Sequence, residues 1–167
     1  GDVADSEWLK RKVVSGGAPN ILQFIKQELI PVIEKKYPAD PKKRVIAGHS
    51  LGGLFAAYTL FNEPTLFNSF LICSPSLYMH DRLIFRLEEQ YAKRHKRLAA
   101  KVYLSVGELE EGSNDTMVGD LVHLAAMLQS RKHKSLTLRK QIFPDLNHCD
   151  VVAPGFQVGL KFALKKE

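Results

Sequence analysis

The residues best suited to do chemistry are in the run Gly48-His49-Ser50-Leu51-Gly52, with Gly53 directly behind it. A serine framed as G-x-S-x-G is suited to nucleophilic attack on an acyl carbon. Its hydroxyl is weak on its own. It needs exposure, a base to take its proton, and a donor for the oxyanion it creates. A strand leading into the string and a helix leading out would hold Ser50 on a sharp, strained turn. The flanking glycines would let strand and helix approach closely, and the Leu51 N–H would lie at a helix N-terminus aimed at the oxyanion. Both flanks read this way. Val45-Ile46-Ala47 is a short apolar run, and residues 51–60 are small-residue-rich and helical in pattern.

Six histidines compete for the role of base. His95 and His133 lie in basic runs and read as solvated. His123 lies within a helix pattern and reads as packing. His80 opens a helix after a strand and could reach the same rim as Ser50. His49 adjoins Ser50 but points the other way along the elbow, where it would line the substrate pocket. His148 follows the last strand through the short loop 144–147, on the correct rim, and gives the order Ser, acid, His. It is the expected base.

The acid should come from the loop after the strand at 101–106. Its role would be to hold the imidazole tautomer and stabilise the imidazolium. That loop carries Glu108, Glu110, Glu111 and Asp115. Glu110 is the first choice, Glu108 and Glu111 come next and Asp115 last. A Ser-His dyad without an acid is the alternative.

The elements that must position these groups alternate between two periodicities. A helix over 20–37 carries Ile21, Leu22, Ile25, Leu29, Val32 and Ile33 at spacings of three and four. Asn20 would cap it and Pro31 would kink it. Strands are expected at 44–47, 68–73, 101–106 and 136–143. Helices follow them at 51–62, 81–97, from a cap at Asn114, and from Pro154. Such alternation means parallel βα units in a three-layer α/β sandwich of about four strands. Function in such sheets sits beyond the carboxyl ends of the strands, and the loops 48–53, 107–114 and 144–151 all lie there.

Composition agrees with one globular domain over residues 1–167. Apolar residues make up 45% and charged residues 25% of the 167. No stretch nears the roughly 20 apolar residues of a membrane span, and no leader pattern is visible at the start. The net charge of +6 comes in short basic runs without interleaved aromatics. It therefore argues for solvated helix ends and a mild preference for acidic substrates, not for nucleic acid. Cys73 and Cys149 form no framework, which favours the cytoplasm. A periplasmic location is the alternative if a segment precedes this chain. No metal or cofactor is expected.

The run Leu29-Ile30-Pro31-Val32-Ile33, Tyr37, Asp40-Pro41 and Ala47-Gly48-His49-Ser50-Leu51-Gly52-Gly53-Leu54-Phe55-Ala56 resembles the "putative esterase" family of α/β-hydrolases. That family includes esterase D and the enterobactin-type siderophore esterases. Ser74-Pro75-Ser76, the loop Val106-Gly107-Glu108-Leu109-Glu110, and Asn147-His148 continue the resemblance over about residues 17–166. It implies an α/β-hydrolase fold, Ser50 as nucleophile and His148 as base. It also implies that Ser74, Ser76 and Tyr78 line the acyl or alcohol side of the pocket. The family's acid is usually Asp at the position of Glu110, so a Glu variant or a dyad follows. Relatives carry several strands before the elbow, so the chain is expected to correspond to the C-terminal half to two-thirds of such an enzyme. The second oxyanion donor would belong to the earlier part.

Three functions are compatible with these residues. The first is a serine esterase cleaving a carboxylic ester or thioester of a small molecule, with an acidic, siderophore-like ester favoured by charge. The second is a weak or inactive hydrolase-like module serving binding or assembly. The third is an acyltransferase using the same acyl-enzyme. The strand before the elbow would also be an unblunted apolar edge, so a homo-oligomer using the 13–47 region is expected.

Overall fold

A computed structural model describes residues 16–112 and 116–165. The chain divides into two compact units, Gly1–Tyr37 and Pro38–Glu167. The described part of the first is one helical rod, α1, in three consecutive segments: Ala18–Phe24, a π-helical Ile25–Leu29 and Ile30–Lys36. The cap expected at Asn20 is replaced by an earlier start. Gly17 is the N-cap and a proline, Pro19, stands in the first turn, where its missing N–H costs nothing. The kink expected at Pro31 takes the form of a π turn just before it, with the Ile30 N–H reaching back to the Ile25 carbonyl.

The second unit is the α/β sandwich. In chain order it holds β1 (Val45–Ser50), α2 (Leu51–Asn62), β2 (Ser69–Pro75) and α3 (Met79–Arg94). These are followed by β3 (Arg97–Gly107), α4 (Met117–Arg131), β4 (Lys134–Phe143) and α5 (Val152–Leu164). All three pairings are parallel and the order is β1-β2-β3-β4. Right-handed crossovers in that order place α2, α3 and α4 on one face. Helix α5 returns to the other face, where Phe156, Val158 and Phe162 pack on Leu71, Cys73 and Tyr103. Gly159 makes this contact close, because a Cβ there would stand 2.9 Å from Leu71 and Tyr103 side-chain atoms.

Burial follows position in the sheet. Every residue of β2 is buried, as a central parallel strand requires, whereas β4 is mostly exposed or half-buried. Among the described residues β1 pairs on one side only. The strands end level, with Ser50 opposite Pro75 and Gly107 opposite Phe143. This register brings the three loops of interest to one rim. β3 is longer than expected, starting at Arg97 rather than 101, and α3 correspondingly ends at Arg94. Asn114, expected to cap α4, lies outside the described residues, as does Asp115. Glu111 caps that helix instead, its carboxylate accepting the Val118 and Gly119 N–H groups at 2.9 and 3.0 Å. No helix among the described residues is long and apolar enough to cross a membrane.

Candidate active site

Ser50 ends β1 with φ 58° and ψ −119° and serves as the N-cap of α2. A non-glycine residue there is strained by roughly 1–3 kcal/mol and persists because its surroundings force it. The forcing contacts come from glycines. A Cβ on Gly48 would lie 2.0 Å from the Gly52 carbonyl oxygen, and one on Gly53 would lie 2.8 Å from the Cys73 carbonyl oxygen. A Cβ on Gly52 would meet nothing within 4 Å. So Gly48 and Gly53 let strand and helix close up, while Gly52 contributes only its backbone. Leu51, with its side chain exposed, opens α2, and its N–H is one of the orphan donors of a helix N-terminus.

The loop after β3 distributes its three glutamates over three tasks, a division the sequence could not assign. Glu108 and Glu110 form a 3₁₀ turn. Glu108 Oε2 accepts the Asp145 N–H at 3.2 Å and so holds the loop carrying His148. Glu111 caps α4, as described above. Glu110 is buried and faces His148, whose Nδ1–H donates to Oε2 at 2.5 Å. Its other oxygen, Oε1, accepts the Gly107 N–H at 2.6 Å and the Ser74 hydroxyl at 2.7 Å. An ionised carboxylate only accepts, so the contact puts the imidazole proton on Nδ1 and leaves Nε2 as the basic nitrogen.

The acid loop and the histidine loop are tied together. The Leu109 N–H donates to the Leu146 carbonyl at 3.1 Å. Gly107 passes so close to that carbonyl that a Cβ would lie 2.2 Å from its oxygen. Asn147 shapes the His148 turn, its side-chain oxygen accepting the Cys149 and Asp150 N–H groups at 2.9 and 3.0 Å.

The remaining site residues surround this contact. Ser76 is buried, and its Oγ lies 3.4 Å from Ser50 Oγ, while its N–H donates to the Ser50 carbonyl at 3.2 Å. Ser50 and His148 form no hydrogen bond with each other, Ser50 facing Ser76 and His148 facing Glu110. Tyr78 is partly exposed after β2. Two residues expected to line the pocket do other work. Ser74 is fully buried and turned to Glu110, because it lies in a bulge of β2. His49 packs its ring on His148, with centroids 4.3 Å apart. Burial holds His49 below the usual imidazole range, and the adjacent His148 pushes it further down. Its Nε2 is buried without a partner.

Elsewhere, His123 packs on Phe85 as expected, at a centroid distance of 4.8 Å. His133 is not solvated. It is buried against the edge of Tyr91, since the left-handed Lys132 turns the chain inward there. His80 lies in a left-handed turn with Asp81 and Arg82, which no sequence signal announced. Cys73 is no rival nucleophile, since burial pushes its thiol up to about 11. No cluster of three or more potential metal ligands occurs among the described residues. Two open cavities, about 620 and 460 Å³, lie at the opposite end of the sheet. One involves Lys42, Asn68 and Lys101, the other His95, Lys96 and His133.

Residues 4–146 match the family described as "Putative esterase". The chain belongs to that family. The match includes Ser50 and Glu110 and stops two residues before His148. Ferri-bacillibactin esterase BesA of Bacillus subtilis is 29% identical over 151 residues, 89% of this chain and 52% of BesA. The crystal structure of BES protein from Bacillus cereus superposes with a TM-score of 0.82 at 33% identity, covering 91% of this chain and 56% of that one. Siderophore hydrolase EstA from Aspergillus nidulans gives a TM-score of 0.79 at 26% identity, covering 88% of this chain and 56% of EstA. The fold of this esterase-family chain is accordingly that of the α/β-hydrolases. The chain spans about half the length of these relatives.

Proposed function

We propose that this chain is a serine esterase acting on a carboxylic ester of a small molecule, with Ser50 as nucleophile, His148 as base and Glu110 as acid. The observation that carries the reading is the Glu110 Oε2 contact to His148 Nδ1, made between loops 38 residues apart. It supports Glu110 over Glu108 and Glu111 as the acid, with Nε2 left free to act as the base. In the reaction, Nε2 takes the Ser50 proton as Oγ bonds to the ester carbon. The Leu51 N–H receives the oxyanion, and the alcohol leaves with the proton from His148. Water then attacks the acyl-enzyme by the same route and releases the carboxylic acid. The missing Ser50–His148 hydrogen bond is compatible with this role, because such bonds often tighten only when substrate binds.

The names of the relatives and the net charge of +6 together favour an acidic, siderophore-like ester as substrate. A fluorophosphonate probe tests the reading. It should add mass to the wild type and none to Ser50→Ala. Equal labelling of both proteins, or none of either, would overturn it, and the latter would favour a binding module. Transfer of the acyl group to an added alcohol in preference to water would favour an acyltransferase.

We further propose self-association along β1, whose Val45-Ile46-Ala47 edge pairs on one side only among the described residues. Light scattering at micromolar concentration should give a multiple of 18.8 kDa, and a soluble monomer would refute it.

A further inference from the structure

We propose that Ser74 is a positioning residue for the base: sitting in a bulge of β2, it pins Glu110 so that Glu110 aims His148 at the nucleophile. The proposal rests on the catalytic roles given above for Ser50, His148 and Glu110.

Between β1 and β2 the register runs from His49 opposite Cys73 directly to Ser50 opposite Pro75. Ser74 is therefore the extra residue, and its φ is +40°. A bulge at a strand end re-aims a side chain that regular pleating would send elsewhere. Here it separates two serines. Ser76 Oγ lies beside Ser50 Oγ, while Ser74 Oγ donates to Glu110 Oε1 at 2.7 Å with the residue fully buried.

A glutamate needs this help more than an aspartate would. It has one more rotatable bond, so its carboxylate must be held against extra rotamer freedom. Two donors converge on Oε1: the Gly107 N–H at 2.6 Å and the Ser74 hydroxyl at 2.7 Å. With Oε1 fixed from two directions, Oε2 is left facing His148 Nδ1 at 2.5 Å. The Gly107 bond is local, within the same turn. Only the Ser74 bond ties the acid to a different strand, and β2 also leads into Ser76 at the nucleophile.

Ser74→Ala and Ser74→Gly together make the test, with three readouts. These are the rate of fluorophosphonate labelling, its pH profile, and the low-field NMR resonance of the His148 Nδ1 proton. By analogy with the outer-shell partners of metal-bound ligands, removing a support of this kind lowers activity by about 10–100-fold. Both variants should label more slowly by on the order of tenfold, with the acid-side limb of the profile, where the base loses its proton, moved to lower pH and the low-field proton lost or shifted upfield. The pair separates the hydroxyl from the backbone, because glycine adopts φ +40° without strain and so relieves any folding cost. In a Glu110→Ala background, Ser74→Ala should add no further loss. Wild-type rate and pH profile in both Ser74 variants would overturn the proposal, as would full additivity with Glu110→Ala. If instead Ser50→Ala labels like the wild type, the underlying catalytic reading has failed and Ser74 falls with it.

Discussion

The two glycines of the G-x-S-x-G string should respond to alanine in opposite directions. At Gly48 the new methyl would lie 2.0 Å from the Gly52 carbonyl oxygen, 2.2 Å from its carbon and 2.8 Å from the Gly53 nitrogen. All three are backbone atoms in the first turn of α2, so no rotamer change relieves the overlap. The strand and helix must separate by roughly 1 Å, at about 2–4 kcal/mol. For a chain of this size that is a fall in Tm of about 5–15 °C. At Gly52 no atom lies within 4 Å of the new methyl. Replacing a helical glycine by alanine there lowers the entropy of the unfolded chain and should stabilise by about 0.5–1 kcal/mol. The corresponding rise in Tm is about 1–4 °C. Thermal unfolding followed by circular dichroism at fixed concentration measures both. Gly48→Ala melting at the wild-type temperature, or Gly52→Ala costing as much as Gly48→Ala, would refute the close-approach argument for this elbow.

Two further outcomes follow from buried titratable groups. Glu88 is fully buried and holds Arg131 by two hydrogen bonds of 3.0 Å. Arg131→Ala strands that carboxylate and should cost about 3 kcal/mol in urea unfolding, while joint replacement of both residues by Met should recover most of it. A loss below about 0.5 kcal/mol would show that the pair is solvated. His49 and His133 both have imidazole pKa values held below the ordinary range, chiefly by burial. The unfolded chain therefore takes up protons first as pH falls through about 6.5, and stability should decline from pH 7.5 to 5.5. Urea midpoints that stay level over that window would contradict the assignment.

The parts of the fold governed by short-range pattern were readable in the sequence. The alternation of apolar runs and helical spacing placed four strands and their helices, and the glycines around Ser50 placed the elbow. The parts that failed depend on contacts between distant segments. Nothing in the loop 107–112 distinguishes Glu108, Glu110 and Glu111 by type or spacing. What separates them is that the first faces the turn at Asp145, the second Ser74 and His148, and the third the start of α4. The resemblance puts Ser74 in the pocket beside Ser76, and the one-residue bulge in β2 turns its hydroxyl to Glu110 instead. His133 read as solvated because its neighbours are charged, yet a single left-handed residue before it turns the ring inward. Lone exceptions to a period have no periodic signal of their own.

The bonds around the rim also tie Ser50 and His148 to different partners. They form two sets. Ser50 and Ser76 are joined by a backbone bond and by adjacent hydroxyls. The acid loop and the histidine loop are joined by the Leu109–Leu146 and Glu108–Asp145 bonds. Between the sets run two links, the Ser74–Glu110 hydrogen bond and the packing of His49 on His148. Both links hold the His148 side, and neither engages His148 Nε2 or the Leu51 N–H. The rim thus presents His148 Nε2, the Ser50 hydroxyl and the Leu51 N–H, the groups that a tetrahedral acyl intermediate would use in the proposed reaction. Strain at Ser50 holds its hydroxyl at the strand end, while Glu110, tied through Oε1, accepts the imidazole proton's hydrogen bond through Oε2. In the proposed reaction, substrate would bring the Ser50 hydroxyl and His148 Nε2 together.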